Sequence, residues 1–243
     1  RTRFSQNIKD AGRTPSRKTL ILQSRLSSRR LAGKALLTIA GIPIVILAAK
    51  RLISKQFQVI IATSTDSSDD SIVREAIRNE IPFFRGSLND VLDRYTKCVE
   101  DLDDSDLCIR VTADNVLPNY EFLEDLLYKK NKYNYEYLSG SFASGGKLPF
   151  GLEAEIFSVK SLREANYETT DEYDREHVTP FIIRKHKPSS LINSDENTRD
   201  LSHLRCTIDN FDDYCRILKL FDGIEDPVSI SWQELVSRLE KIY

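Results

Sequence analysis

Four short apolar runs, at 19–23, 58–62, 82–85 and 107–112, alternate with longer stretches whose apolar residues recur at helical spacing. This alternation limits the possible folds more than any other feature of the chain. Parallel strands cannot be joined by a tight turn, so each crossover must be long enough to hold a helix. Strands covered by helices on both faces read as continuous apolar runs, as these do. The pattern predicts an α/β fold of three layers, α/β/α, around a mostly parallel sheet.

Pro43 suits the first turn of a helix, where its missing N–H costs nothing, and that helix is expected to run to about residue 55. Ser68 or Asp69 can cap a second helix ending near residue 79, and 89–102 and 120–130 complete the regular half. The second half is less periodic. Strands at 135–139 and 153–158 are expected to continue the sheet, and 172–186 reads as a helix broken near Pro180. Helices at 211–221 and 231–242 follow, with Asn210 and Ser231 as caps. Residues 1–18 set Arg1, Arg3, Lys9, Arg13, Arg17 and Lys18 against the single acid Asp10, which predicts a flexible basic tail ahead of one domain at 19–243.

Composition narrows the classes of function. A hydrophobic share of 40% is enough to build a core, and a net charge of −2 argues against a nucleic-acid binder. The longest apolar run, 42–49, contains Pro43 and falls well short of the roughly 20 residues that cross a bilayer, so no membrane insertion is expected. Cys98, Cys108, Cys206 and Cys215 form no CxxC pair and no spacing with histidine, which predicts buried, reduced thiols in a cytoplasmic protein.

In parallel sheets ligands bind beyond the carboxyl ends of the strands, here just after residues 22, 63 and 111. The segment Gln23-Ser24-Arg25-Leu26-Ser27-Ser28-Arg29-Arg30-Leu31-Ala32-Gly33-Lys34 follows the first run. Its cations, hydroxyls and glycine suit a polyphosphate, although a solvated basic loop has the same composition. Its glycine spacing is not that of a Walker loop. Asp114 follows the strand at 107–112 and is either a Mg²⁺ ligand or the cap of a turn. Asp209 ends the apolar run at 204–208 and is either an N-cap or a second metal ligand, while Asp212 and Asp213 read as helix-start charges. His177, beside Arg175 and Glu176, could meet an acidic substrate, act as a base, or be structural.

In order, these pieces resemble the cytidylyltransferase family of the spore-coat polysaccharide biosynthesis protein F type, a cousin of the CMP-Kdo and CMP-sialic acid synthetases. The resemblance rests on Arg25, Ser27, Ser28 and Arg30-Leu31-Ala32-Gly33-Lys34, on Gly41-Ile42-Pro43, and on Ala62-Thr63-Ser64. It continues through Phe84-Arg85-Gly86-Ser87, Asp90-Val91-Leu92-Asp93-Arg94-Tyr95, Arg110–Asn115, Gly151–Ser158, Arg175–Pro180 and Leu204–Asp209, covering 19–243.

The resemblance implies a Rossmann-like nucleotidyltransferase fold of the nucleotide-diphospho-sugar transferase kind, with a mostly parallel mixed sheet. It implies that a sugar hydroxyl attacks the α-phosphate of CTP, that pyrophosphate leaves, and that a CMP-activated sugar is made for a surface or spore-coat polysaccharide. Arg25, Arg30 and Lys34 would hold the phosphates, and Asp114 and Asp209 would bind Mg²⁺. Gln23, Ser24, Gly33 and Arg110 would belong to the nucleotide site, with Thr63, Ser64, Arg85 and Ser87 near the base and ribose. Glu153, Glu155 and His177 would face the sugar, and the protein would be a homodimer. Ala32, Ile42 and Val116 stand where the family carries Pro, Lys and Pro; Ile42 removes a phosphate contact. Two rival readings are use of another nucleoside triphosphate and a non-catalytic nucleotide-binding relative.

Overall fold

The computed structural model describes residues 17–28, 30–139, 146–186, 189–190 and 199–243. Its centre is a sheet ordered β5-β4-β1-β6-β8-β7-β9, from β1 (Lys18–Gln23), β4 (Gln58–Ser64), β5 (Phe83–Gly86), β6 (Leu107–Thr112), β7 (Leu138–Ser139), β8 (Glu155–Ser158) and β9 (Ser189–Ser190). The strands β5, β4, β1 and β6 are mutually parallel, whereas β8 runs antiparallel to both β6 and β7. A small ladder pairs β2 (Thr38–Ile39) with β3 (Ile42–Pro43).

The helices are α1 (Ile44–Leu52), α2 (Asp70–Arg78), α3 (Val91–Cys98), α4 (Tyr120–Lys132), α5 (Val159–Glu168), α6 (Glu172–His177), α7 (Pro180–His186), α8 (Phe211–Phe221) and α9 (Trp232–Ile242). Alternation along β1 explains the three layers, because successive side chains point to opposite faces. Leu20 and Leu22 enter one core with residues of α1, α2, α4, α8 and α9, while Ile21 enters a second core with residues of α3, α5 and α7. Each such side chain, fully buried, contributes about 1.5–3 kcal/mol relative to exposure. The α/β sandwich expected from the sequence is therefore present.

Several boundaries move for identifiable reasons. Pro43 is not inside the first turn of α1 but precedes it, extended at ψ 138°, because it belongs to the β2–β3 ladder. The third helix begins after Asp90, whose carboxylate accepts from Asp93 N and caps it, so the expected range 89–102 shrinks to α3. Neither Ser68 nor Asp69 caps α2 through its side chain. The strand expected at 135–139 is only β7, since Asn134 ends the preceding helix with φ +52° and Tyr135 N returns to Lys130 O. The strand expected at 153–158 begins at Glu155. The break near Pro180 is a turn at Val178 with φ +71°, whose N–H donates to Asp174 O.

Most of the predicted tail, 1–16, lies outside the described residues, but its last two members belong to the sheet. Lys18 opens β1, and Arg17 donates to Asp106 through its backbone N at 2.8 Å and its Nε at 3.3 Å. All four thiols are free, with Cys108 and Cys206 buried and Cys98 and Cys215 only partly so. No helix of the described residues is long and apolar enough to cross a membrane.

Candidate functional site

The carboxyl ends of β1 and β6 open into a cleft of about 1060 Å³. Its walls come from the loop after β1, from residues 112–114 after β6, from 88–90 ahead of α3, from α6, and from Asp209. The first of these walls is shaped by its backbone. Gly33 adopts φ +69°, a left-handed conformation that L side chains rarely reach, and its N–H closes the loop onto Leu26 O at 3.2 Å. Lys34 then starts a single 3-10 turn, Lys34–Leu36, that aims its side chain back into the cleft.

Lys34 Nζ donates to Asp114 Oδ2 at 2.9 Å, to Ile208 O at 2.8 Å and to Asp209 Oδ1 at 3.4 Å. Arg30 reaches Asp209 Oδ1 at 2.9 Å, while Arg205 and Thr207 donate to the other oxygen of the same carboxylate. Burial opposes ionisation of Asp209, but the charges of Lys34 and Arg30, with hydrogen bonds from Lys34 and Thr207, hold its carboxyl below the ordinary carboxylate range. Asp209 is not a helix cap. Asn210 takes that role through a capping box with Asp213, which leaves the Asp209 side chain to the cleft. Asp213 is buried and pairs with Arg216 at 3.0 Å, whereas Asp212 is exposed.

A backbone bond from Ile208 N to Asp114 O, 3.0 Å, joins the segments that carry the two carboxylates. They approach because Gly151 has no side chain. A Cβ there would meet Thr207 Cγ2 at 2.4 Å and Asn115 Oδ1 at 2.9 Å. Asp114 and Asp209 thus converge on one ammonium group. Mg²⁺ takes one or two protein carboxylates and fills its shell with water and phosphate oxygens, so this pair fits that ion. Among the described residues no group of three or more His, Cys, Asp or Glu is arranged to hold a metal.

The remaining expected residues divide. Gln23, Ser24 and Arg25 line the cleft. Gln23 Oε1 accepts from Tyr95 at 3.4 Å and Arg110 at 3.5 Å, and buried Ser24 Oγ has no partner among the described residues. Arg110 sits behind this wall, paired with Glu155, which also accepts from Tyr137. Burial, reinforced by Glu155, pushes the Glu153 carboxyl up. Neither glutamate is among the residues lining the cleft, and the neighbouring segment 140–145 is outside the described residues.

Thr63, Ser64, Arg85 and Ser87 do not line it either. Thr63 and Ser64 are fully buried, and Arg85 turns away to Ser64 O at 2.8 Å and to Asp70 at 2.8 Å. Ser87 Oγ accepts from Asp90 N at 3.0 Å. The strand end after residue 63 is therefore occupied by protein, while those after residues 22 and 111 remain open. His177 is exposed and packs on Tyr173, 4.3 Å between rings, outside the cleft. Ile42, in place of the family's Lys, packs against the apolar core, and Val116 is buried in it.

Sequence reasoning missed several contributors. Buried Asp69 accepts from Leu26 N at 2.8 Å and also holds Ser64, tying the basic loop to β4. Glu172 and Glu176 of α6 line the cleft, and Glu176 faces Arg25 at 3.7 Å. Arg175 donates Nε to Asp90 at 2.8 Å, Nη1 to Asn166 O and Thr169 O, and Nη2 to Asn166 Oδ1, and its Nη2 lies 2.7 Å from the Asp90 carboxylate as an ion pair. Every nitrogen of this guanidinium is engaged by protein, so it braces α6 against α3 and α5. A buried acid just after a strand was the one available signal, and for Asp69 a helix cap explained it equally well.

A cation-bearing loop and two convergent carboxylates at the carboxyl edge of a parallel sheet are the parts of a nucleotidyltransferase of the Rossmann-like kind. Comparison with known proteins agrees: the cytidylyltransferase family's sequence model matches residues 19–241, and the chain belongs to that family. It is 29% identical over 226 residues to an uncharacterized protein of Methanocaldococcus jannaschii, covering 91% of this chain and 89% of that one. It is 27% identical over 233 residues to the spore coat polysaccharide biosynthesis protein SpsF of Bacillus subtilis, covering 91% and 93%. A cytidylyltransferase structure from Leptospira borgpetersenii superposes with a TM-score of 0.82 at 26% identity, covering 93% of this chain and 95% of that one.

Proposed function

We propose that this cytidylyltransferase uses CTP to activate a sugar hydroxyl, releasing pyrophosphate and giving a CMP-sugar for a surface polysaccharide. The observation that carries this reading is the convergence of Lys34 on Asp114 and Asp209, with Arg30 beside them, inside a cleft at the sheet edge. Phosphoryl transfer asks a protein mainly for positioning and charge neutralisation. Arg25, Arg30 and Lys34 would hold the triphosphate, and the depressed Asp209 carboxyl stays ionised beside them. Asp114 and Asp209 would hold Mg²⁺, which when bound neutralises charge on phosphate oxygens. The similarity to SpsF supports the role in surface polysaccharide. A homodimer belongs to the same reading.

The test is pyrophosphate release from CTP with a panel of sugars, with and without EDTA, beside thermal shifts with each nucleoside triphosphate. A ligand at 100 times its Kd stabilises by about 2.7 kcal/mol, so a response is easily seen. A shift with CTP and Mg-dependent turnover that Asp114→Ala abolishes is expected. A response to UTP without one to CTP overturns the nucleotide assignment.

A further inference from the structure

The ammonium of Lys34 has no N–H to spare: one each goes to Asp114, Asp209 and Ile208 O, at 2.9, 3.4 and 2.8 Å. Asp209 is equally saturated. Its Oδ1 takes Lys34 and Arg30, and its Oδ2 takes Arg205 and Thr207. A carboxylate has about four lone-pair sites, so a newcomer must displace a donor already in place. The Lys34 side chain is only 15% exposed and its backbone is fixed by the turn after Gly33, so the ammonium cannot simply swing out into water.

We infer that in the nucleotide-free protein Lys34 occupies the two carboxylates a divalent cation needs, so that cation and nucleotide bind together and the cation does not bind first. This rests on the proposed phosphate and metal roles of the cleft. A divalent ion arriving alone would have to strip the ammonium from both carboxylates and leave it close by, still charged, with only Ile208 O as partner. Like charges at such range repel strongly wherever water is scarce. A triphosphate changes this. Its oxygens accept from Lys34 and Arg30, which releases Asp114 and one oxygen of Asp209, and its negative charge offsets the incoming ion. Lys34 thereby sets the order of binding and shields the paired acids from free metal.

The experiment is titration of the whole chain with Mn²⁺, followed by its paramagnetic signal, with and without CTP. Wild type is expected to take Mn²⁺ only with CTP. Lys34→Met, which removes the charge at similar length, is expected to bind Mn²⁺ without nucleotide about tenfold or more tighter than wild type. Adding Asp114→Asn to it should abolish that gain. Equal Mn²⁺ affinity of free wild type and Lys34→Met overturns the inference and leaves the proposed function standing. Failure of wild type to bind Mn²⁺ even with CTP overturns both. Should circular dichroism show Lys34→Met unfolded, Lys34→Gln, which keeps a donor for Ile208 O, is judged by the same outcomes.

Discussion

The two walls of the cleft hold their arginines in opposite ways. Arg30 is 66% exposed and, among the described residues, reaches a single partner, the carboxylate of Asp209. Arg175 is 22% exposed and has every guanidinium nitrogen bound by Asp90, Asn166 or Thr169. A ligand can take over the first guanidinium for little loss, whereas recruiting the second would undo the packing of α6. Proximity to a pocket is therefore a poor guide to ligand binding. What counts is how readily its donors can be released, and by that measure Arg175 is frame and Arg30 is site.

The largest effect should come from the acids between those walls. Asp209→Asn and Asp114→Asn are each expected to lower kcat about 10²–10³-fold in a pyrophosphate assay, the usual range for losing one preorganised electrostatic contact. Arg175→Lys should then cost about 1–3 kcal/mol of stability, since Lys cannot reproduce the fork. For a chain of this size that lowers Tm by roughly 2–4 °C per kcal/mol. Arg30→Lys, an exposed pair worth about 0–1 kcal/mol, should leave Tm nearly unchanged while weakening CTP binding. Equal Tm losses in both variants would collapse the distinction.

A smaller effect follows from Asp209. Its carboxyl lies lower in the folded chain than in the unfolded one. The stability it contributes is fully present above the unfolded value of about 3.9 and is lost as pH falls through the folded value. Denaturant midpoints from about pH 5 to about pH 3 should drop further for wild type than for Asp209→Asn. The smallest effect is expected for Glu176→Gln. Its contact with Arg25, at 3.7 Å between two partly exposed groups, should alter stability by less than about 1 kcal/mol.

The half of the molecule that reads clearly in sequence is the half whose order is local. Strands β1, β4 and β6 announce themselves because burial on both faces demands apolar runs. Gln23 and Asp114 were legible because they lie at the ends of such runs, and Lys34 because it closes the basic loop that follows one. Thr63 and Ser64 occupy an equivalent place, yet they are buried, because Asp69 folds back and fills that strand end. Nothing in local spacing foretells that. The contribution of Glu172 and Glu176 was hidden for a similar reason: the orientation of so short a helix depends on the brace from Arg175 to Asp90, far away in the chain.

The bond from Ile208 N to Asp114 O ties the C-terminal piece into the floor of the cleft. A protein cleaved just ahead of Arg199 would keep the basic loop, Asp114 and all the parallel strands, and still lose half of its acid pair. The detached fragment carries Ile217, Leu220, Phe221, Leu235 and Leu239, all buried in the shared core. Those side chains give the fragment a reason to return, so fragment complementation from two separately expressed pieces should restore both acids together.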